Sequence, residues 1–447
     1  MTAAGRKTRV LVVDGTGRGH AICDLFTRTD PDVIVYYGPG CDVIKHDRIR
    51  PAAGVTLDNP RTALEFLRAN PMDLVFVSNI DALSRGYVDV LRCFGYPVIG
   101  PTQAAAALES SKATGKRFCA QHGIPTARFR TFSDPAASLA YIRSQPYSCV
   151  VKADGLTLNG DGAVVCETTA EAEAAVRRFA EELGDAFRVV VEERLYGQEI
   201  SVFALLDGSS YVLLPTALDY KRTFDGDRGG NCDGMGSIAP HPEEDETLRA
   251  AVRHQLLDPL MRGLSAEGLD FTGFVYLGAM ITPAGLRLIE INARFGDSEA
   301  EVVLPGITTS FVELCRAVLD RRLGQHRVDV DRLHRCSVAL TQGGLDPADP
   351  AAPPGWPIGE FVTGQPVTGL AAAEASPQAQ LFYGHLALGA DRDPVTAGGR
   401  VLHVVGSGET LNEARDAAYR AAEHVQFPGC RYRRDIGAVR SLTAADH

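Results

Sequence analysis

Short apolar runs at 10–13, 33–37, 74–78 and 97–99 alternate with amphipathic stretches at 62–70 and 87–94. Strands that are apolar throughout, separated by helices, predict a parallel sheet covered on both faces. Residues 1–109 are therefore expected to form a doubly wound α/β domain. Its first strand runs into Asp14-Gly-Thr-Gly-Arg-Gly-His20, a glycine-rich turn opening a helix and a natural cradle for an anion.

The pattern then changes. A helix is expected over 110–122, strands over 149–153 and 188–193, and a charged amphipathic helix over 171–183. Between the strands, Asp154-Gly-Leu-Thr-Leu-Asn-Gly-Asp-Gly162 reads as a mobile loop. Residues 110–195 make this second unit. The third, 196–330, holds two hairpins: 200–206 with 211–215 across an Asp-Gly turn, and 275–281 with 286–292 across Pro283-Ala-Gly285. The remainder, 331–447, is rich in Pro, Gly and Ala at 343–357. It then regains strands at 381–388 and 400–405 and a helix at 411–425, an α+β pattern.

Composition narrows the function. The chain has 447 residues, 45% hydrophobic and 23% charged. No apolar run reaches the roughly 18 residues that span a bilayer, and the N-terminus leads into a strand rather than a signal sequence. The ten cysteines form no Cys-x-x-Cys pair, as in reduced thiols of a cytoplasmic protein. A formal charge of −11 argues against nucleic-acid or anionic-membrane partners. Small molecules are the expected partners, with the chain a monomer or homodimer.

Candidate chemistry concentrates in Leu288-Ile-Glu-Ile-Asn-Ala-Arg-Phe-Gly-Asp297. Strand alternation turns Ile289, Ile291 and Ala293 to a core and leaves Glu290, Asn292 and Arg294 on one face. A carboxylate and an amide oxygen suit a hard cation, and a guanidinium suits phosphate oxygens. A solvated polar face is the plainer alternative. Lys152 ends an apolar strand just before the glycine-rich loop, where an ammonium and backbone N–H groups can share phosphates. Lys112 is a second cation in nucleotide-like surroundings. The run Val189-Val-Val-Glu-Glu-Arg-Leu195 leaves its sheet as a hinge offering backbone groups to a planar base. Glu199 follows, placed for ribose hydroxyls.

The order Ser-Lys, Lys152-Ala-Asp-Gly155, Glu-Glu-x-Leu-x-Gly-x-Glu199 and Glu290-x-Asn-x-Arg-Phe-Gly-Asp297 resembles the ATP-grasp superfamily. Within it the chain is similar, almost end to end, to the phosphoribosylamine–glycine ligase family. The likeness includes Leu108-Glu-Ser-Ser-Lys112, Gly123-Ile-Pro-Thr126, Gly234-Met-Gly236, Thr272-Gly-Phe274, Gly398-Gly-Arg-Val-Leu402 and Arg434-Asp-Ile-Gly437. The resemblance implies an ATP-grasp fold with a mobile lid, and an ADP-forming ligase that makes an amide through an acyl phosphate. It implies ATP and Mg²⁺, with Mn²⁺ as a substitute. Lys112 and Lys152 would contact phosphates, Glu192 and the backbone near Leu195 the adenine, and Glu199 the ribose. Glu290 and Asn292 would bind the metal, and Arg294 would stabilise the transferring phosphoryl group. Substrates would meet Arg18, His20, Asp219, Lys221, Arg222, Asn231, Gly234, Asp297, Arg433 and Arg434.

Departures from the family cluster where the amine would bind. The family's Gly-Gly-Arg-Glu-His-Ala is here Thr16-Gly-Arg-Gly-His-Ala21, and its Gly-Pro-Glu-Ala-Pro-Leu is Ser78-Asn-Ile-Asp-Ala-Leu83. Two carboxylate positions become Gly19 and Ile80, with Asp81 one place along. In the lid, Asp161 replaces a lysine and is expected to point outward. These changes lead to the expectation of a ligase with an altered amino-acid and amine pair, in specialised biosynthesis. The alternatives are the purine-pathway phosphoribosylamine–glycine ligase itself and a silent nucleotide-binding regulator.

Overall fold

The computed structural model describes residues 7–146, 148–156, 162–232, 234–343 and 360–438. The expected lid falls mainly on 157–161, outside these residues, and so does the orientation of Asp161.

The N-terminal sheet is all parallel, in the order Ile49–Pro51, Val33–Pro39, Thr8–Asp14, Leu74–Val77, Val98–Ile99. Its central strand feeds two cores by strict alternation. Leu11 and Val13 join Leu64, Leu67 and Leu91 from the helices Pro60–Ala69 and Tyr87–Cys93. Val10 and Val12 join Ile22 and Phe26 from the helix Gly17–Thr29 on the other face. Asn59 caps the helix Pro60–Ala69 by accepting from the Arg61 amide, with Pro60 in the first turn where no N–H is needed.

The helix expected over 110–122 is preceded by one that was not expected. Gln103–Ser110 stops at Ser111, which is extended and caps Lys112–His122 by accepting from the Thr114 amide. The second unit is an antiparallel sheet ordered Phe129–Phe132, Val189–Glu193, Cys149–Ala153, Ala163–Cys166. Val151, Val189 and Val191 pack under Val176 and Phe179 of the helix Thr169–Leu183. The alternate residues Val150, Lys152 and Glu192 therefore face the opposite way, into a cavity.

The third unit is an antiparallel sheet ordered Tyr211–Leu213, Gln198–Asp207, Thr272–Thr282, Gly285–Asn292. A bulge shifts its last pairing. Gly278 is opposite Glu290 and Ala279 is opposite Leu288, so Ile289 has no partner. The bulge corrects the simple alternation expected here. Leu288, Ile291 and Ala293 are buried, whereas Ile289 turns to the cavity beside Glu290.

The C-terminal sheet runs Leu218–Asp219, Gly236–Ala239, His334–Gln342, Arg400–Gly408, Ala379–Tyr383, with Cys430–Arg431 also paired to His334–Gln342. Two of its strands come from before the expected boundary at 330, so this sheet joins the third unit to the last. The helix Leu411–Ala422 covers it with an alanine face, and a Cβ at Gly406 would lie 2.0 Å from the Ala414 carbonyl oxygen. Only glycine permits that approach. Among the described residues, no helix is long and apolar enough to cross a membrane.

Candidate active site

The sheets of the second and third units face each other across a cavity of about 670 Å³. The second unit's wall carries three linked charges. Lys152 holds one Glu192 oxygen, and Lys116 Nζ lies 2.5 Å from the other, all three side chains being nearly buried. Burial alone would raise the Glu192 pKa, but Lys152 and Lys116 hold it below the usual carboxylate range. Glu192, expected beside the adenine, lines the cavity with its carboxylate paired to these two lysines. The hinge 194–197 beside it does line the cavity, Leu195 included. Gly197 is fixed there by sterics, because a Cβ would lie 2.1 Å from the Ile281 carbonyl oxygen.

At the cavity's edge, Lys112 Nζ donates to the Gly155 carbonyl at 2.9 Å. Asp154 ties the same loop to the helix Lys112–His122 by accepting from Ser111 Oγ and the Ala113 amide. The start of the glycine-rich loop is thus anchored to a helix N-terminus, where backbone donors favour an anion.

On the opposite wall lie Glu290, Asn292 and Arg294. Burial opposes ionisation of Glu290, but Lys221, Lys152, the Asn292 amide and Lys112 bring its pKa down to about 2. A fixed negative charge among ammonium groups is the setting a cation and a polyphosphate would share. Asn292 donates through Nδ2 to Glu290 at 3.2 Å and accepts through Oδ1 from Arg294 at 3.4 Å. Both residues fit a divalent cation once that amide turns over, a change within its ordinary freedom. Arg294 is held from behind by Glu109, whose Oε1 lies 2.9 Å from Nη2 while Oε2 accepts from the Ala293 amide at 2.6 Å.

The far end of the cavity carries Glu199, Asp219, Lys221, Arg222, Asn231, Gly234 and Asp297. Lys221 Nζ is 2.9 Å from Glu199 Oε2. Asp297 accepts from the Arg18 amide at 2.9 Å and pairs with Arg400. Burial is outweighed there by Arg400 and His403, and the Asp297 carboxyl is held well below the usual range.

Four expected substrate contacts lie outside the lining. Arg18 is buried, with Nε 3.0 Å from Asp14 Oδ2 and Nη1 donating to the Phe295 carbonyl. It braces the first loop against the third unit. His20 accepts from the Tyr383 amide at 3.0 Å and packs against Phe382 and Tyr383. Arg433 is enclosed by Asp227, Asp435 and the Arg222 carbonyl. Arg434 lies over the Tyr432 ring. None of the four lines the cavity, and Arg18, His20 and Arg433 have polar partners elsewhere.

Lys116 and Glu109 are among the cavity residues that escaped sequence reading. Lys116 follows Lys112 by four residues on one helix, so helical spacing alone could have placed both on one face. Glu109 carries no local signal, since its partner Arg294 is distant in sequence.

Facing sheets that enclose lysines, a hinge and an ionised strand carboxylate define an ATP-grasp ligase that forms carbon–nitrogen bonds. Three segments match the domains of phosphoribosylglycinamide synthetase: residues 8–109 its N domain, 110–300 its ATP-grasp (A) domain and 350–439 its C domain. The chain belongs to this family. It is 34% identical over 436 residues to phosphoribosylamine–glycine ligase of Caldanaerobacter subterraneus subsp. tengcongensis, covering 96% of this chain and 99% of that one. The Escherichia coli K12 enzyme of the same name is 35% identical, with 96% and 98% covered. The crystal structure of the Thermotoga maritima ligase superposes with a TM-score of 0.78 at 31% identity, covering 96% of this chain and all of that one. Biotin carboxylase of Campylobacter jejuni, at 13% identity and a TM-score of 0.67 with 95% and 92% covered, shares the fold. Relatives of one name along the full length give no support to the expected change of substrate pair.

Proposed function

We propose that this protein joins glycine to phosphoribosylamine in an ATP-dependent, ADP-forming reaction. The observation that carries the reading is Glu290, ionised and facing Lys112, Lys152 and Lys221 across one cavity, in a chain similar throughout to ligases of that name. ATP would lie between the two sheets, its base against the hinge near Leu195, its ribose at Glu199 and its phosphates at Lys152 and Lys112. Glu290 and Asn292 would hold Mg²⁺ or Mn²⁺. Bound there, the cation would screen phosphate charge and orient the oxygens.

The glycine carboxylate oxygen attacks the γ-phosphorus, and the bond to ADP breaks. Arg294, held by Glu109, neutralises charge on the transferring group. Phosphorylation matters because a carboxylate has no workable leaving group, whereas an acyl phosphate releases phosphate. The amine nitrogen then attacks the acyl carbon, the carbon–oxygen bond to phosphate breaks, and the nitrogen gives a proton to the departing phosphate or solvent, leaving the amide. Asp219, Lys221, Arg222, Asn231, Gly234 and Asp297 would bind the acid and amine. Asp81, on the cavity wall beside Ile80, would supply a carboxylate for the sugar hydroxyls in place of those absent at 19 and 80. The ten cysteines, all free thiols, support a reducing, cytoplasmic setting. The test is growth of a purine-requiring strain that lacks this ligase. Rescue on purine-free medium is the expected result, and failure by well-expressed protein would refute the assigned substrates.

A further inference from the structure

Behind the cavity floor, where the third unit meets the C-terminal sheet, three side chains converge. Asp297 follows Gly296, Glu301 lies in the short helix Ala300–Val303, and His403 points inward from the strand Arg400–Gly408. One ligand atom from each lies within 4.8 Å of the others. We propose that Asp297, Glu301 and His403 bind one divalent cation of the Zn²⁺ class, fastening the ATP-grasp units to the C-terminal domain.

The strongest support is a pair of buried atoms without hydrogen-bond partners. Glu301 Oε1 and His403 Nε2 both face this cluster unsatisfied, on residues 0% and 1% exposed. Buried polar atoms are rarely left so, because each forfeits the hydrogen bonds it had in water. A cation ligated by both removes the two deficits together. His403 Nε2 lies 3.9 Å from Asp297 Oδ2. Neighbouring ligands about 2.1 Å from a tetrahedral ion stand about 3.4 Å apart, so this pair needs to close by about half an ångström.

The remaining ligand atoms are already oriented. Glu301 Oε2 accepts from the Ser298 amide at 2.9 Å, and His403 Nδ1 lies 3.3 Å from Ser337 Oγ. Asp297 accepts from the Arg18 amide through Oδ1, pairs with Arg400 through Oδ2, and keeps further lone pairs. Outer partners of this kind fix imidazole and carboxylate ligands in metal sites. Room is kept beside them by Gly17, where a Cβ would lie 2.5 Å from Glu301 Oε1 and 3.3 Å from Asp297 Oδ1.

One nitrogen and two oxygens suit Zn²⁺, Co²⁺ or Mn²⁺, whereas Mg²⁺ and Ca²⁺ favour oxygen alone. The site includes neither Glu290 nor Asn292, and it shares Asp297 with the residues proposed to bind substrate.

The test uses the full chain, stripped by chelator and free of nucleotide. Co²⁺ is titrated by visible absorption and Zn²⁺ by metal analysis after desalting. We expect one equivalent of either ion and a higher melting temperature with Zn²⁺. Glu301→Gln and His403→Ala should each weaken binding at least about tenfold, while Glu290→Ala retains it. Wild-type protein that binds well under one equivalent overturns the proposal, as does unchanged affinity in both cluster variants or loss of the ion in Glu290→Ala. Should the variants fail to fold, the wild-type cobalt spectrum decides, because an imidazole-ligated ion is required.

Discussion

Lys116 and Lys152 share one carboxylate, Glu192, with Lys116 Nζ 2.5 Å from its Oε2. The arrangement sets two ammonium groups side by side at the phosphate end of the cavity, which neither could hold alone against mutual repulsion. Lys116→Met should cost on the order of 3 kcal/mol of stability, because it removes one partner of a buried charge. Lys152→Met should cost a similar amount and also raise KM for ATP about tenfold, a charge-assisted contact being worth about 1.5–3 kcal/mol. Urea unfolding and ADP-release kinetics on both variants separate the two effects.

Glu109 acts through Arg294. Its two oxygens fix the guanidinium and the Ala293 amide, so the arginine is positioned before any substrate arrives. Glu109→Gln keeps an acceptor for the amide and removes the charge. The variant should lose about tenfold in kcat, or 1.4 kcal/mol, while KM for ATP stays within about twofold. A raised KM with unchanged kcat would place Glu109 in binding instead.

Gly19 fills the position of a family glutamate, and the structure leaves it no room for a side chain. A Cβ there would lie 2.4 Å from Tyr37 Oη and 2.6 Å from Asp14 Cβ. Tyr37 in turn donates to the Thr16 carbonyl at 2.8 Å. Gly19→Ala should destabilise the protein by about 1–3 kcal/mol, as overpacking does. Gly19→Glu should not yield folded protein. Thermal melts and yields of folded protein check both.

His20 makes stability depend on pH. Burial, reinforced by His46, lowers its pKa from 6.5 to about 3, and its Nδ1 must stay unprotonated to accept from Tyr383. Below pH 6.5 the unfolded chain takes up a proton that the folded one refuses, so stability falls as pH falls through the window from 6.5 to 3. From pH 6.5 to 5 the loss from this group should be about 2 kcal/mol. His20→Asn retains an acceptor without the titration and should show that much less acid loss in urea unfolding at the two pH values.

Sequence reading reached the fold through periodicity. Val10–Val13 carries no polar residue, and its two faces do feed two different cores. Periodicity failed at Ile289, where a bulge inserts one residue and reverses the facing of what precedes it. It also missed the helix Gln103–Ser110, which ends where the backbone of Ser111 turns extended. Arg18 and Arg433 look like anion ligands in sequence because a cation's partner is invisible there. In three dimensions Asp14, Asp227 and Asp435 have claimed them. Lys116 was legible by its spacing from Lys112. Glu109, Glu301 and His403 were not, since each gains its meaning from a contact between units.

The account rests most on Glu290 as the ionised anchor of a nucleotide site, and ADP release tests it most directly. Purified chain would be given ATP, Mg²⁺, glycine and phosphoribosylamine together, and then with each substrate withheld. Wild-type protein is expected to form ADP and amide in equal amounts only with the full set. Glu290→Ala should reduce kcat by on the order of a hundredfold or more while its circular dichroism is unchanged. Wild-type turnover by Glu290→Ala would contradict the account.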